Sequence, residues 1–183
     1  MTGKAHEANE TTKRPPVVNR KFKDAVFRML FSDKEALLSL YNAVNNSHYT
    51  DSCALEIVTL ENAIYMGMKN DLAFILDMNL YLYEHQSTMN PNIPLRDLFY
   101  IAAEYQKLVD KKSLYSSALQ KIPNPHFIVF YNGSTPIDDC YTSRLSDAFY
   151  HATDNPSLEL IVTTFNVNAG HNTKFMSHCQ ILK

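Results

Sequence analysis

Two short apolar runs with a polar tripeptide between them constrain this chain more than any other feature. The runs are Leu72 to Leu76 and Leu80 to Tyr83, and Asp77-Met78-Asn79 separates them. Runs of this length, set beside turn-forming residues, predict two antiparallel strands joined as a β-hairpin. The middle of the chain is therefore expected to form sheet structure.

Three segments have the three-to-four-residue apolar spacing of amphipathic helices. The first contains Phe22, Val26, Met29 and Leu30, and the second starts after Asp33, a residue type that favours the N-cap, and ends at Asn45-Asn46. The third has the longest apolar stripe, formed by Leu95, Leu98, Phe99, Ala102, Tyr105, Leu108 and Val109. A closing helix is expected from about Lys174.

Strand-like segments alternate with these helices. Besides the hairpin, strands are predicted near Ile57, over residues 126–131 and over residues 158–167, with a loop region between the last two. This order predicts an α/β fold with a mixed sheet flanked by helices. Residues 1–19 are polar and are expected to form a flexible tail, and residues 20–183 are expected to form one domain.

Composition narrows the function classes. The 17 basic and 19 acidic residues give a net charge of −2, which argues against a protein that wraps duplex DNA. The four glycines do not form either the dinucleotide or the phosphate-loop motif. Three widely spaced cysteines predict no disulfide framework and favour a cytoplasmic location. The apolar runs are far shorter than the ~18 residues of a membrane span, so no membrane association is expected.

Polar residues at the end of the second hairpin strand indicate a site. Strand alternation places Glu84 and Gln86 on one face, opposite the face of His85. If an even loop is centred between Met78 and Asn79, Asp71 lies opposite Gln86 and diagonal to Glu84, with Cα atoms roughly 7–8 Å apart. An odd loop would instead put Asp71 on the other face.

Two carboxylates beside an amide suit Mg²⁺ or Mn²⁺, which commonly bind substrate phosphate as well. This arrangement points to phosphodiester chemistry. The alternative interpretation is that Asp71 and Glu84 are exposed charges at strand ends and that Gln86 is an ordinary amide at the strand edge.

The same residues resemble a known signature. Asn70-Asp71-Leu72, followed after the hairpin by Glu84-His85-Gln86-Ser87, resembles the D…ExK motif of the PD-(D/E)XK nuclease superfamily. The chain is most similar to the Rpn-type recombination-promoting nucleases, also described as transposase-like, in which the last motif position is typically Gln followed by Ser. Further matches, from about Lys21 to Asn172, are Lys23 to Arg28, Leu60-Glu61-Asn62, Met66 to Asp71, Asn90 to Arg96 and Phe130 to Gly133.

The resemblance implies a restriction-endonuclease-like core and a metal-dependent DNA endonuclease. Asp71 and Glu84 would be ligands of Mg²⁺ or Mn²⁺, and Gln86 would complete the catalytic set. Gln86 stands where the superfamily has lysine, and an amide can orient water or phosphate only through hydrogen bonds. The metal would then have to lower the pKa of the attacking water largely by itself, so slow catalysis is expected.

Four other residues are candidates for the same site. Glu61 would add a third carboxylate, although a solvated charge is an equally good interpretation, and Asp24 would reach the metal from the first helix as in some superfamily members. Arg96 and Lys69 are candidate phosphate contacts. For Arg96, the alternative is a salt bridge to Asp97 or to another acid.

The resemblance also implies partners. DNA is the expected substrate, RNA is left open because a two-carboxylate site attacks either backbone, and a homodimer would allow two nicks in one duplex. Family members usually extend past the nuclease core, which leaves open a missing C-terminal extension. The competing function is a nuclease-fold protein that binds nucleic acid or a partner protein without cutting. Metal-bound Asp71 and Glu84 would be neutralised, which weakens the charge argument against DNA.

Overall fold

The computed structural model describes residues 20–58, 72–151 and 153–171, with side chains from residue 26 onward. Three helices span Arg20–Phe31 (α1), Lys34–Asn45 (α2) and Ile93–Leu108 (α3). The strands are Glu56–Ile57 (β1), Leu72–Leu76 (β2), Asn79–Gln86 (β3), Asn124–Tyr131 (β4), Cys140–Arg144 (β5) and Ile161–Asn166 (β6). The expected tail and the expected closing helix lie outside the described residues.

The described strands form one mixed sheet in the order β1-β2-β3-β4-β6-β5. β3, β4 and β6 are parallel neighbours, whereas the β1–β2, β2–β3 and β5–β6 pairs are antiparallel. The prediction of an α/β fold with a mixed sheet is therefore confirmed. The parallel strands bring their carboxyl ends to one edge of the sheet, which is where open α/β sheets commonly bind ligands.

Strand β5 was not predicted, because residues 140–144 were expected to lie in a loop region. Four of its five residues are exposed, and only Ser143 is buried. A strand at the sheet edge that buries a single polar residue lacks the apolar alternation by which strands are found in a sequence.

One face of the sheet packs against α1 and α2, and we call it the helix-pair face. Its core is aromatic: the Phe74 ring lies 5.2 Å from Tyr81 and 5.0 Å from Tyr83, centroid to centroid, and Tyr83 lies 5.3 Å from Phe130. These rings are buried together with apolar residues of α1 and α2. Ring pairs at such distances add to the stability given by burial alone.

The opposite face packs against α3, and we call it the α3 face. Ala73, Leu82 and Val129 of the sheet meet Tyr100 and Ile101 of the helix there. Alternation along each strand also directs toward this face the buried polar residues Glu84, Thr164 and Asn166. Toward the carboxyl ends of the parallel strands, the α3 face therefore changes from apolar to polar.

The hairpin is confirmed, but its predicted register is wrong. The turn holds two residues, Asp77 and Met78, both with positive φ (51° and 60°), as in a type I′ turn. Leu72 pairs with Tyr83 and Ala73 with Leu82, whereas an even loop centred between Met78 and Asn79 would place Ala73 opposite Glu84. The loop is centred one residue earlier than expected, so the residue paired with each position of β2 shifts by two along β3. A shift of two residues leaves every side chain on the same face of the sheet.

The helices show both confirmed and wrong predictions. The Asp33 carboxylate accepts a hydrogen bond from the Ala36 amide at 2.9 Å, which confirms the N-cap of α2. In α1, Met29 is exposed and Phe27 and Phe31 are buried instead. In α3, much of the predicted apolar stripe points outward, with Phe99 48% exposed. The buried residues of α3 are instead Ile93, Pro94, Asp97, Tyr100, Ile101 and Glu104.

Candidate active site

The candidate site lies at the carboxyl end of β3, on the α3 face. Glu84 is 4% exposed and Gln86 is half-buried, two residues further along the strand. His85 points to the helix-pair face, where its ring stacks on Phe27 at 5.7 Å. The predicted facing of Glu84, Gln86 and His85 is therefore confirmed.

Glu84 Oε2 is the point at which the polar groups converge. The Gln86 side-chain amide donates a hydrogen bond to this oxygen, with Nε2 and Oε2 3.1 Å apart. Arg96 Nη2 lies 3.7 Å from the same oxygen. One carboxylate oxygen is thus approached by an amide donor from its own strand and by a guanidinium from α3.

Arg96 is itself held in place by α3. Its Nη2 donates to the Tyr100 hydroxyl at 3.2 Å, and its guanidinium lies 5.9 Å from the centre of the Tyr100 ring. Burial opposes its charge, but the Glu84 carboxylate and the Tyr100 hydroxyl outweigh that effect and raise the pKa of Arg96. The alternative of a salt bridge to another acid is thus realised with Glu84, while the side chain remains 29% exposed.

Sequence reasoning missed Asp97 as a site residue and considered it only as an ion-pair partner. Asp97 is 2% exposed, on the face of α3 that meets the sheet. Burial, followed by the nearby negative charge of Glu84, raises its pKa well above the usual range, and Arg96 partly opposes this. The sequence does contain an indication, because Asp97 is four residues from both Ile93 and Ile101 and therefore lies on the same helix face as these apolar residues.

The backbone around the site is held by the loop that follows β4. The backbone N–H of Asn132 donates a hydrogen bond to the backbone carbonyl of Gln86 at 3.0 Å. A Cβ atom at Gly133 would collide with the Ser87 carbonyl oxygen and with the Tyr131 ring. Glycine is therefore required at position 133, where this loop crosses the end of β3.

Several predicted site residues lie outside the described residues. They are Asp71, Glu61 and Lys69, and for Asp24 only the backbone, within α1, is described. Among the residues whose side chains are described, no cluster of three or more His, Cys, Asp or Glu side chains forms a metal site. The structure thus brings together Glu84, Gln86 and Arg96 of the predicted set.

The described groups nevertheless suit a hard divalent cation. Mg²⁺ is often bound by one or two carboxylates and fills its remaining positions with water and substrate oxygens. Glu84 is a buried carboxylate near a second buried acid, Asp97, and burying such charges is costly without compensation. The oxygen-rich donor set favours Mg²⁺ or Mn²⁺ over softer metals.

Comparison of the chain with known protein families, curated proteins and solved structures finds no match. Within residues 20–58, 72–151 and 153–171, no helix has the length and apolar character needed to cross a bilayer.

Proposed function

We propose that this chain is a metal-dependent endonuclease of the Rpn-type group in the PD-(D/E)XK nuclease superfamily, acting on DNA. The observation that carries the proposal is the convergence on Glu84 Oε2. The Glu84 carboxylate is buried at the carboxyl end of a central strand. It accepts a hydrogen bond from the side-chain amide of Gln86 and forms an ion pair with the Arg96 guanidinium. This is the strand-borne Glu-x-Gln arrangement that the motif resemblance implies.

The hairpin register supports a role for Asp71. Leu72, the first residue of β2, pairs with Tyr83, which directly precedes Glu84. Asp71 directly precedes Leu72 in the sequence, and consecutive Cα atoms are about 3.8 Å apart. The position of Asp71 in the sequence, next to a residue that pairs beside Glu84, supports the proposal that the two carboxylates bind one cation.

Each described residue then has a distinct task. Glu84 would hold the cation together with Asp71, and Gln86 would orient the Glu84 carboxylate through its hydrogen bond. Arg96 would bind phosphate oxygens, because a guanidinium fixed by Tyr100 and still partly exposed is preorganised for that contact. The bound cation would lower the pKa of a water molecule and offset charge on the phosphate.

Plasmid nicking in Mg²⁺ and in Mn²⁺ tests this proposal. Glu84→Gln and Asp71→Asn should each reduce the rate by about 100-fold or more, the scale on which removing one group that stabilises transition-state charge acts. Glu104→Gln is the matched control, since Glu104 is, like Glu84, a buried glutamate, but it lies on α3 and contacts Lys107. It should cleave at the wild-type rate.

Cleavage that persists in both site variants would show that the assigned site is wrong. If no metal supports cleavage but DNA is still bound, the protein would instead be a nuclease-fold binding protein. The same reactions with RNA identify the preferred backbone, because two carboxylates and a cation can act on either one. Cutting both strands of a duplex in one binding event would use two copies of the site, which a homodimer would supply.

A further inference from the structure

Asp97 is a buried acid whose surroundings do not account for its charge. It is 2% exposed, and its Oδ1 has no hydrogen-bond partner among the residues that the structure describes. Its apolar neighbours on the same face of α3 include Ile93 and Ile101. Leaving a carboxylate oxygen buried without a donor is costly, so an unexplained one indicates an absent ligand or a functional constraint.

The Arg96 guanidinium acts on two buried acids. Asp97 and Glu84 interact electrostatically with each other and with Arg96. The Arg96 guanidinium is directed to Glu84 Oε2 and to the Tyr100 hydroxyl. Neither of these contacts involves Asp97 Oδ1, and a divalent cation between the two acids would give this buried oxygen a partner.

We infer that Asp97 of α3 supplies a further carboxylate ligand to the divalent cation bound by Glu84 of β3. This inference rests on the proposed function, which already assigns a cation to Glu84, and it adds a ligand from a different element. A carboxylate from each of β3 and α3 would tie helix and sheet together through the metal. Cation binding would then stabilise the packing of α3 on the sheet.

Mn²⁺ binding to the full chain, measured by titration calorimetry, tests the inference without reference to activity. Asp97→Asn keeps the shape of the side chain and removes its charge, and it should weaken Mn²⁺ binding by about tenfold or more. Asp97→Leu is a second variant, in which an apolar side chain replaces the acid at a buried position. It provides the test if Asp97→Asn fails to fold. It should have a metal-free Tm at or above that of wild type and should lose most of the Tm increase that Mn²⁺ gives wild type.

The controls separate this inference from the proposed function. Glu84→Gln should abolish measurable Mn²⁺ binding, and Glu104→Gln should leave it within twofold of wild type. If Glu84→Gln weakens binding while both Asp97 variants bind Mn²⁺ as wild type does, the role of Asp97 is refuted and the Glu84 site stands. If Glu84→Gln binds Mn²⁺ as wild type does, the site itself is refuted.

Discussion

The two faces of the sheet are built from the same strands but differ in what they bury. Successive residues of β3 point to opposite faces, so Tyr81 and Tyr83 enter the aromatic core of the helix-pair face. Leu82 and Glu84 point to the α3 face, which begins apolar and becomes polar toward the carboxyl end. One strand thus contributes alternately to a packed core and to a candidate site.

The two faces differ in how burial affects the free energy of folding. The helix-pair face gains free energy from ring packing and the removal of apolar surface from water. The α3 face places three acids, Glu84, Asp97 and Glu104, in a buried environment, which costs free energy unless partners compensate them. Buried charge of this kind is a marker of candidate function because it does not serve packing.

Truncating the aromatic core should give the largest change in stability. Phe74→Ala removes a fully buried ring and should lower the free energy of unfolding by about 3–5 kcal/mol, measured by urea denaturation. Phe99→Ala is the control on the outward side of α3 and should cost within about 0.5 kcal/mol. Comparable losses in both variants would mean that the buried face of α3 is misassigned.

Removing the amide donor of the site should affect cleavage and leave stability nearly unchanged. Gln86→Leu should lower the plasmid-nicking rate by about 10- to 100-fold, because the Glu84 carboxylate loses the group that orients it. Gln86→Lys should retain more activity, since an ammonium can donate to the same oxygen. An equal loss in the two variants would argue against the donor role.

The far end of α3 should show pH-dependent stability of its own. Burial raises the pKa of Glu104 above its ordinary 4.5, and the Lys107 ammonium 3.2 Å away offsets this only in part. The folded state then binds the proton more tightly than the unfolded chain, so the contribution of Glu104 to stability falls as pH rises from 4.5 through the raised pKa.

The variant Glu104→Gln should therefore be more stable than wild type at pH 7, and the difference should vanish on acidification below 4.5. Urea denaturation across this pH range measures the two free energies of unfolding. Glu56→Gln makes the same substitution at an exposed glutamate of β1 and is the surface control. A difference between Glu104→Gln and wild type that does not change with pH would contradict the assignment.

The smallest expected effect concerns the turn that sets which residues face each other. Met78 is 84% exposed and has a φ of 60°. This left-handed conformation is unfavourable for residues other than glycine and asparagine. Met78→Gly should raise the free energy of unfolding by about 0.5 kcal/mol, because relief of the strain exceeds the added entropy cost. Met78→Ala keeps a Cβ atom and should show no gain in the same urea titration.

Local patterns predicted those parts of the structure that depend on local physics. The N-cap at Asp33 and the opposite facing of Glu84 and His85 follow from side-chain reach and from strand alternation, and both are confirmed. The register was missed by two positions because the sequence does not identify Asp77 and Met78 as the turn residues. A two-residue shift changes partners without changing faces, so the facing of the described site residues was unaffected.

The sequence by itself determined the α/β class, the hairpin and the placement of Glu84 with Gln86, because each depends on residues near one another in the chain. Only the tertiary structure decided which side of α3 is buried and that Arg96 faces Glu84. An apolar stripe normally marks the buried side, but here Asp97 and Glu104 occupy that side while Leu95 and Phe99 are exposed. Burial of an acid depends on what packs against it, and that information lies in distant strands.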